Sequence, residues 1–499
     1  MTSVSTDDPI TKSSRRVESR GIEHIPPDER RGKFLHLGAM WSGLILNVQV
    51  VVYGALLVSL GLNPWQCLLA VLIGNLTWIL TGLCSLPGPA AGQTAFAISR
   101  ASFGRNGNRP IAFFNWLMQV GYEVLDLILM VLAVTALLEL AHVHVTTPVK
   151  VAVAIVLSIA QGILPVFGHA AITRVLRLLI VPCAALFLIL AYLTAHRLHL
   201  QDSAPAGWAA FLGGIALSAS AGGLGWTPNA ADYSRYLPAG TSTRGITVSV
   251  ALGGAIPQIL LMLLGVGVAL VSAAATDPIS GLTGAYPTWF VVIYLLLLIV
   301  QMGSLNAFDL YSSGVTLQAI GLKVARWHAV VIDGVVCTAI SLVVLFSGDV
   351  NTYLSDFLLF MIIWFGPWTA IFAIDYFLRR GRYDTASLDS KAGGRYRRPR
   401  GFHAPGIIAQ GAGMIAAALW INTSVFVGPL AGAGNGIDLS VPAGLLVGGL
   451  VYYLLARRSV PAEDGDGQPG GNDHPAARTS EPVISGRDWP VNPLLDDLT

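Results

Sequence analysis

Two pairs of polar side chains lie inside long apolar stretches, at spacings that let the members of each pair act together. Tyr122 and Asp126 are four residues apart in NWLMQVGYEVLDLILM, and Asn306 and Asp309 are three apart in QMGSLNAFDLYSSG. Side chains at these spacings project from one face of a helix, so both pairs can line a single cavity. A carboxylate in apolar surroundings needs a partner, a proton or water, which makes Asp126 and Asp309 candidates for binding rather than packing.

Further polar groups lie at the same depth of their apolar stretches. The amides at this level are Asn47, Gln49, Gln119 and Asn306. Each of them can line the cavity, but a single amide can also simply bond one helix to another. Glu123 projects about 100° away from Tyr122 on a helix, so it either packs or belongs to a proton path.

The segment GGLGWTPNAADYSRYLP interrupts an apolar stretch with residues that break helices. Its helix-breaking residues are Gly222, Gly223, Gly225 and Pro228. Broken backbone at membrane depth is tolerated where protein encloses it or where it lines a cavity, and its freed N–H and C=O groups can then bind a ligand. Trp226 offers a flat apolar face at the predicted break. The alternative is a kinked helix with a core tryptophan, which Pro228 alone would explain.

Composition shows what kind of chain positions these groups. Of the 499 residues, 54% are hydrophobic and only 12% are charged, and the mean hydropathy is +0.64. These values indicate an all-α integral membrane protein. A helix needs about 20 mostly apolar residues to cross the hydrocarbon core, and twelve such runs are present. The predicted spans lie near 37–59, 65–86, 111–138, 149–167, 175–195, 208–227, 246–272, 287–320, 328–347, 352–378, 404–424 and 437–456.

Basic residues alternate along the chain with the predicted spans. They precede the first span, as at Arg30 and Arg31, and follow the even-numbered ones, as at Arg174 and Arg177. This pattern predicts a multi-pass protein of the cell membrane with both termini cytoplasmic. We expect disordered cytosolic segments at 1–33 and 459–499 around a transporter domain at 34–458. The basic loop 379–401 is typical of a solvated cytosolic loop that touches lipid headgroups, and not of nucleic-acid binding.

Several other classes of protein are excluded or disfavoured by the sequence. No HExxH, GxSxG or P-loop motif and no ordered Ser/His/Asp set appears, so we predict no enzyme, no catalytic residues and no cofactor. The cysteines show no CxxC spacing and read as small buried hydrophobes, while several histidines fall in predicted extracytoplasmic loops, so no metal site is expected. The residues concerned are Cys67, Cys84, Cys183, Cys337, His142, His144, His196 and His199.

A broken helix at the membrane midplane is the mark of a secondary transporter. The first span is the natural counterpart of the broken sixth span in a five-plus-five inverted repeat. Its sequence, LILNVQVVVYG, has no proline, and the two halves show no evident sequence identity. From pattern alone we predict a secondary transporter for a small, flat, polar solute.

Several segments in order resemble the purine-cytosine permease branch of the nucleobase:cation symporter-1 family. They are GIEHIPPDER, QTAFAISRASFGRNGNRP, GHAAITRVLR, GWTPNAADYSRYLP and SLNAFDLYSSGVTLQAIG, and the resemblance runs from about Gly21 to the twelfth span. It implies a LeuT-like fold of ten helices in an inverted repeat plus two C-terminal helices. It also implies uptake of a nucleobase such as cytosine or a purine, or a related heterocycle, by cation symport.

The resemblance further implies where the substrate binds. A planar substrate would lie between Tyr122 and Trp226, with Asp126 and Asp309 reading its polar edge. The family usually has Trp at the first of these positions and Asn or Gln at the last two. A carboxylate offers only acceptors, so it favours guanine-like edges, protonated cytosine or cationic rings, and suits the imide edge of uracil poorly.

The coupling ion can also be predicted from the resemblance. Sodium-coupled relatives hold the ion between the break of the first helix and paired small hydroxyl residues, and the matching positions here are Gly303 and Ser304. One hydroxyl is therefore missing. Because Asp126, Asp309 and Glu123 lie at depth, we favour a proton over sodium, with Ser304 and Glu123 as the candidate cation-coupling residues.

The sequence does not exclude several other functions. A vitamin-like heterocycle, such as a pyridoxine or thiamine precursor, or an allantoin-like ureide is the alternative substrate. A channel or a non-transporting sensor is the alternative of a different class. The expected partners are a small heterocycle and the lipid bilayer, and a monomer suffices.

Overall fold

The computed structural model describes residues 24–166, 169–198, 203–271, 277, 279, 281–320, 326–347, 350–389 and 394–465. Helices make up the regular structure of this part of the chain, apart from an isolated antiparallel bridge between Asn422 and Val427. The main helices are α1 (Phe34–Ile45), α2 (Val48–Ser59), α3 (Pro64–Asn75), α4 (Trp78–Cys84), α5 (Asn108–Leu140), α6 (Thr147–Val166), α7 (His169–Ala195), α8 (Trp208–Ala219), α9 (Ala230–Ser234), α10 (Thr243–Val271), α11 (Thr288–Ile320), α12 (Arg326–Ser347), α13 (Val350–Leu378), α14 (Ala404–Trp420), α15 (Ser440–Ala456) and α16 (Ser459–Gly465).

Short helical turns connect several of these helices. They are Pro27–Glu29, Pro87–Ala91, Ala95–Ile98, Arg100–Phe103, Ser220–Leu224, Thr227–Asn229, Leu282–Ala285, Thr385–Asp389, Pro399–Gly401 and Pro429–Ala433.

The described helices are those of a membrane protein. In the described part of the chain, seven helical stretches are long and apolar enough to cross a membrane, or eight if α1 and α2 count as one bent span. Each of the twelve predicted runs overlaps a described helix, and the count of twelve spans stays a prediction. Large apolar side chains are exposed on the outer faces of several helices, among them Val181, Leu188 and Leu446, as expected where lipid covers them.

The first predicted span is interrupted near its middle. α1 ends at Ile45 and α2 begins at Val48, and the two helices meet at 62°. Asn47 caps α2, because its Oδ1 accepts from the N–H of Val50 at 3.2 Å and its Nδ2 donates to the carbonyl of Leu44 at 2.9 Å. No proline or glycine lies between Ile45 and Val48 to predict this break.

A second interruption follows α8, where the glycines predicted it. The chain widens into a π-type turn at Ser220–Leu224, and Gly222 leaves helical geometry at φ −95° and ψ −138°. The backbone also passes so close to α4 that a Cβ on Gly223 would collide with the backbone of Trp78. Thr81 donates from Oγ1 to the carbonyl of Gly223 at 2.6 Å, which satisfies one of the groups that the break frees.

Parts of the two ends that were predicted to be disordered lie within the described residues, and the assignment of both ends stays a prediction. Within 24–33, Ile25 and Arg30 are buried, and Arg30 donates to the carbonyl of Pro89 at 2.9 Å. In α16, Glu463 forms ion pairs with Arg379 at 2.9 Å and with Arg398 at 2.5 Å. Arg379 also pairs with Asp375 at 2.8 Å, so this end of the basic loop is fixed to α13. Residues 1–23 and 466–499 lie outside the described residues.

Candidate functional site

A cavity lies between the two interrupted helices and is closed by α5, α10 and α11. The residues that line it are Ile45, Asn47, Gln49, Val50, Tyr53, Met118, Gln119, Tyr122, Ala221, Gly225, Trp226, Asn229, Gln258, Leu305 and Asp309. The structure thus brings predicted residues from each of the first, third, sixth and eighth spans to one cavity, among them Asn47, Gln49, Tyr122, Trp226 and Asp309. An apolar cavity with a few convergent polar groups is the usual form of a small-molecule site.

Two aromatic rings face this cavity from opposite elements. Trp226 follows the broken turn directly, and its ring meets the edge of Trp41 at 5.5 Å and 76°. Trp41 is fully buried and also contacts Trp78, so Trp226 rests on a packed aromatic support. Tyr122 projects from α5, and its ring meets Phe357 edge-on at 5.1 Å. Both rings are therefore held in fixed orientations, and each offers a face to a planar ligand.

The two predicted carboxylates occupy different depths of the site. Asp309 lines the cavity from α11. Asp126 is buried behind Gln49, whose Nε2 donates to Asp126 Oδ1 at 3.0 Å. The other oxygen, Oδ2, has no hydrogen-bond partner among the described residues. Asp309 can therefore meet a ligand directly, whereas Asp126 acts through Gln49 in this arrangement.

The predicted amides are mostly occupied by other groups. Asn47 lines the cavity, but its side chain caps α2, and Gln49 is bound to Asp126. Asn306 does not line the cavity. Its Nδ2 donates to the backbone carbonyl of Glu123 at 3.1 Å and to Gln161 Oε1 at 2.7 Å, so it joins α11 to α5 and α6. The three-residue spacing from Asp309 leaves the two side chains about 60° apart around the helix, enough to direct Asn306 elsewhere.

Three further polar lining groups, Tyr53, Asn229 and Gln258, were not predicted from the sequence, whereas Gln119 was named as able to line the cavity. Gln119 and Gln258 are buried in the cavity wall, and the Oε1 of each has no partner in the described part of the chain. Gln258 donates from Nε2 to the carbonyl of Ala221 at 3.1 Å, so it also holds the second break. Tyr53 and Asn229 complete the polar lining. The signal for Gln119 was its place three residues before Tyr122, which puts the two on one face of α5.

The predicted cation-coupling position is filled by hydrogen bonds of the protein. Ser304 donates from Oγ to the carbonyl of Val300 at 2.7 Å. Beside it, Gln301 bridges the first break, donating from Nε2 to the carbonyl of Leu46 at 2.8 Å and accepting from the N–H of Val48 at 3.2 Å. No group of three or more His, Cys, Asp or Glu side chains that could hold a metal ion occurs among the described residues. All four cysteines are buried and unpaired as disulfides.

Comparisons with known proteins agree on one family. A family model described as permease for cytosine/purines, uracil, thiamine, allantoin matches residues 24–444. A Bacillus subtilis protein provisionally named a purine-cytosine permease is 29% identical over 469 residues, which cover 89% of this chain and 96% of the relative. The purine-cytosine permease fcyB of Emericella nidulans is 26% identical over 465 residues, covering 88% of each chain.

A solved structure shows the same fold. It is that of Mhp1, a nucleobase-cation-symport-1 family transporter in a closed conformation with bromovinylhydantoin bound. The match has a TM-score of 0.68 at 17% identity and covers 89% of this chain and 95% of that chain. At this identity the likeness establishes the arrangement of the helices.

Proposed function

Because the chain belongs to the family of permeases for cytosine/purines, uracil, thiamine and allantoin, we propose that it imports a nucleobase such as cytosine or a purine, or a related nitrogen heterocycle, by cation symport. The observation that carries this proposal is the cavity in which Trp226, Tyr122 and Asp309 meet between two interrupted helices. Members of this family are permeases, so the protein is a membrane transporter and not an enzyme.

The proposed architecture has twelve spans, of which the first ten form a LeuT-like inverted repeat and α14 and α15 add two. Two features support it: the interrupted first and sixth spans meet at one cavity, and the fold matches that of a symporter. In such folds the site stays near the midplane while one bundle rocks against the other, so the cavity opens to each side in turn.

The proposed binding mode places the planar ring between Tyr122 and Trp226. Stacking on these faces would supply affinity with little demand on the identity of the heterocycle. Both side chains line the cavity, and each is braced by another aromatic ring, Phe357 behind Tyr122 and Trp41 behind Trp226. The rings of Tyr122 and Trp226 therefore need little reorganisation when the substrate binds.

Specificity would come from the polar edge of the site. The carboxylate of Asp309 accepts hydrogen bonds and attracts positive charge, while the unpaired Oε1 atoms of Gln119 and Gln258 add two further acceptors. An edge rich in acceptors selects a ligand rich in N–H donors or one that is cationic. Cytosine in its protonated form, guanine and adenine meet this requirement better than uracil.

A proton is the proposed coupling cation. Sodium bound at the first break would need backbone carbonyls of that break as ligands. The carbonyl of Leu46 instead accepts a hydrogen bond from Gln301, and the hydroxyl of Ser304 is directed to Val300. The bond from Gln301 thus occupies one of these carbonyls, whereas Glu123 and Asp126 provide buried carboxyl groups, and Asp309 one in the cavity wall, that can carry a proton.

The family and the pattern of basic residues support a proposal for where the protein lies in the cell. We infer that the protein is a multi-pass protein of the cell membrane with both termini in the cytosol, and that a monomer suffices for transport. The alternation of basic residues supports this orientation.

A different heterocycle is the second candidate substrate, because the family description includes thiamine and allantoin. Competition for uptake of labelled cytosine by unlabelled adenine, guanine, uracil, a thiamine precursor and allantoin separates these possibilities. We expect cytosine, guanine or adenine to compete best. Stronger competition by uracil would contradict the proposed role of Asp309 in recognising a donor-rich edge. Stronger competition by the thiamine precursor or by allantoin would make that compound the substrate instead of a nucleobase.

A further inference from the structure

A second group of polar side chains lies behind the cavity, where α5, α11 and α12 pack together. It consists of Glu123, Ser313 and Asp333, with Trp116 at its edge. The side chains of Glu123, Ser313 and Asp333 are all completely buried. Two carboxyl groups inside one helix interface are costly unless a proton, a cation or several donors compensate them.

Asp333 has the surroundings of an ionised carboxylate. Its Oδ1 accepts from the indole N–H of Trp116 at 2.9 Å, and its Oδ2 accepts from the hydroxyl of Ser313 at 2.5 Å. Both oxygens thus act as acceptors, which is the pattern that a charged carboxylate requires. The short bond from Ser313 is typical of an O–H group that donates to an anion.

Glu123 has the opposite surroundings. Neither of its carboxyl oxygens has a hydrogen-bond partner in the part of the chain that the structure describes. The side chain interacts electrostatically with Asp333 and Asp309, and Ser313 lies close to it as well. The single proton of the Ser313 hydroxyl goes to Asp333 Oδ2 in this arrangement, with the carbonyl of Leu310 as a second acceptor at 3.1 Å, so the hydroxyl oxygen has lone pairs left for Glu123. A protonated Glu123 would use them, whereas an ionised Glu123 would face only like charges.

Among the described residues, the titratable groups that interact electrostatically with Glu123 and Asp333 include no cation. The titratable groups that face Glu123 or its neighbours are Asp333, Cys337, Asp309, Asp126 and Tyr353. They come from α12, α11, α5 and α13, and α6 contributes the neutral Gln161 beside Cys337. Within the described residues the cluster is therefore acidic or neutral on every side, which leaves a bound proton as the simplest way to stabilise it.

We propose that Glu123, Ser313 and Asp333 form a proton-binding site, separate from the substrate cavity, that carries the coupling proton. This inference rests on the proposed function, since it assigns the cation of the proposed symport. Glu123 holds the proton and Asp333 is its ionised partner. When the proton of Glu123 passes to Ser313 Oγ, the proton of Ser313 passes to Asp333 Oδ2, so one charge moves across the pair and the hydroxyl is restored.

The position of the site suits this role. Ser313 follows Asp309 by four residues on α11, one helical turn from the cavity, and Glu123 follows Tyr122 directly on α5. In the predicted orientation both Ser313 and Asp333 lie on the cytosolic side of the midplane. The site therefore shares its helices with the substrate cavity and lies on the way to the cytosol.

The test uses the full chain reconstituted in proteoliposomes, with labelled cytosine as the probe. In Glu123→Gln and Asp333→Asn we expect accumulation driven by a pH gradient to fall by at least about tenfold, within the usual range of coupling energies. Counterflow exchange of labelled for unlabelled cytosine should persist, because the cavity is unchanged. Ser313→Ala should slow accumulation without abolishing exchange. Glu139→Gln, on an exposed position of the same helix, is the matched control and should behave as the wild type.

A second measurement is independent of any substrate. Infrared difference spectra of the purified protein at neutral pH should show the carbonyl band of a protonated buried carboxyl group, and Glu123→Gln should remove it. Absence of cytosine exchange in the wild type would contradict the proposed function, and the infrared band would still decide whether this pair holds a proton. An unchanged band, or undiminished pH-driven accumulation in Glu123→Gln, would overturn the inference. Sodium-dependent accumulation that is lost in Glu123→Gln would assign a sodium ion to the site instead and would also overturn it.

Discussion

At the scale of single residues, Trp226 joins the local break of a helix to the recognition of a ligand. It stands between the π-type turn that ends at Leu224 and the turn that begins at Thr227, so its ring projects from irregular backbone. Trp41 supports the ring from behind, and Trp41 is itself held by Trp78 and Tyr233. The ring is thus placed by packing before a substrate arrives.

Replacement of Trp226 by Ala should abolish binding of the substrate, because it removes one of the two stacking faces. Each face contributes about 1 kcal/mol beyond the area it buries, and the loss of the clamp also admits water. Binding of labelled cytosine to purified protein and thermal stability measure the two effects separately. Trp208→Ala, on the exposed start of α8, is the matched control. Unchanged binding in Trp226→Ala would remove this residue from the site.

Replacement of Asp309 by Asn should change selectivity more than total binding. An amide offers both a donor and an acceptor, so the site would lose its preference for donor-rich or cationic rings. We expect uracil to compete better against labelled cytosine in this variant than in the wild type, while guanine competes less well. Glu139→Gln serves as the control for loss of an acidic side chain. An unaltered order of competitors would show that Asp309 does not read the substrate edge.

Some of the residues predicted for the site line the cavity and others do not, and their roles in binding stay predictions. Tyr122, Trp226 and Asp309 were predicted for the site and line the cavity. Asn306 was predicted beside them but bonds to Gln161, because a difference of about 60° around a helix suffices to send a side chain into another interface. Gln258 and Asp333 lie in long apolar helices, and only the three-dimensional packing shows what their polar groups face.

At the scale of elements, the two interrupted helices differ in how their breaks arise. The break after α8 is encoded locally by glycines and Pro228, so it could be predicted. The break between α1 and α2 has no such local cause. It is held by the Asn47 cap and by Gln301, which is 253 residues further along the chain from Val48. A contact at that separation is invisible to local patterns, so this break was expected only because the first span is the counterpart of the sixth in the predicted inverted repeat.

Replacement of Gln301 by Leu should loosen the first break. It would leave the carbonyl of Leu46 and the N–H of Val48 without their partner. Each buried group left unsatisfied lowers the free energy of unfolding by about 1–3 kcal/mol. We expect a lower melting temperature together with weaker binding of cytosine. Gln410→Leu removes a comparable bond, from Nε2 to the carbonyl of Trp364, away from both breaks. This control should lose stability but keep binding, and equal loss of binding in both variants would contradict a specific role for Gln301.

At the scale of the whole molecule, the fold places irregular backbone at the centre and regular helices around it. Exposed apolar side chains cover the outer faces of the helices, while polar groups converge on the cavity and on the cluster behind it. Hydropathy predicted the positions of the helices because lipid imposes a simple rule on their length and composition. How the helices pack follows from contacts between distant residues and needed the structure.

The central claim is that the cavity carries a nitrogen heterocycle across the membrane by alternating access. Counterflow in proteoliposomes tests this most directly: vesicles loaded with unlabelled cytosine, guanine or adenine are diluted into the same labelled base with a protonophore and without ion gradients. A carrier should concentrate the label transiently inside, and Trp226→Ala should not. Equilibration of the label without this overshoot, or no entry of any of the three bases, would contradict the account.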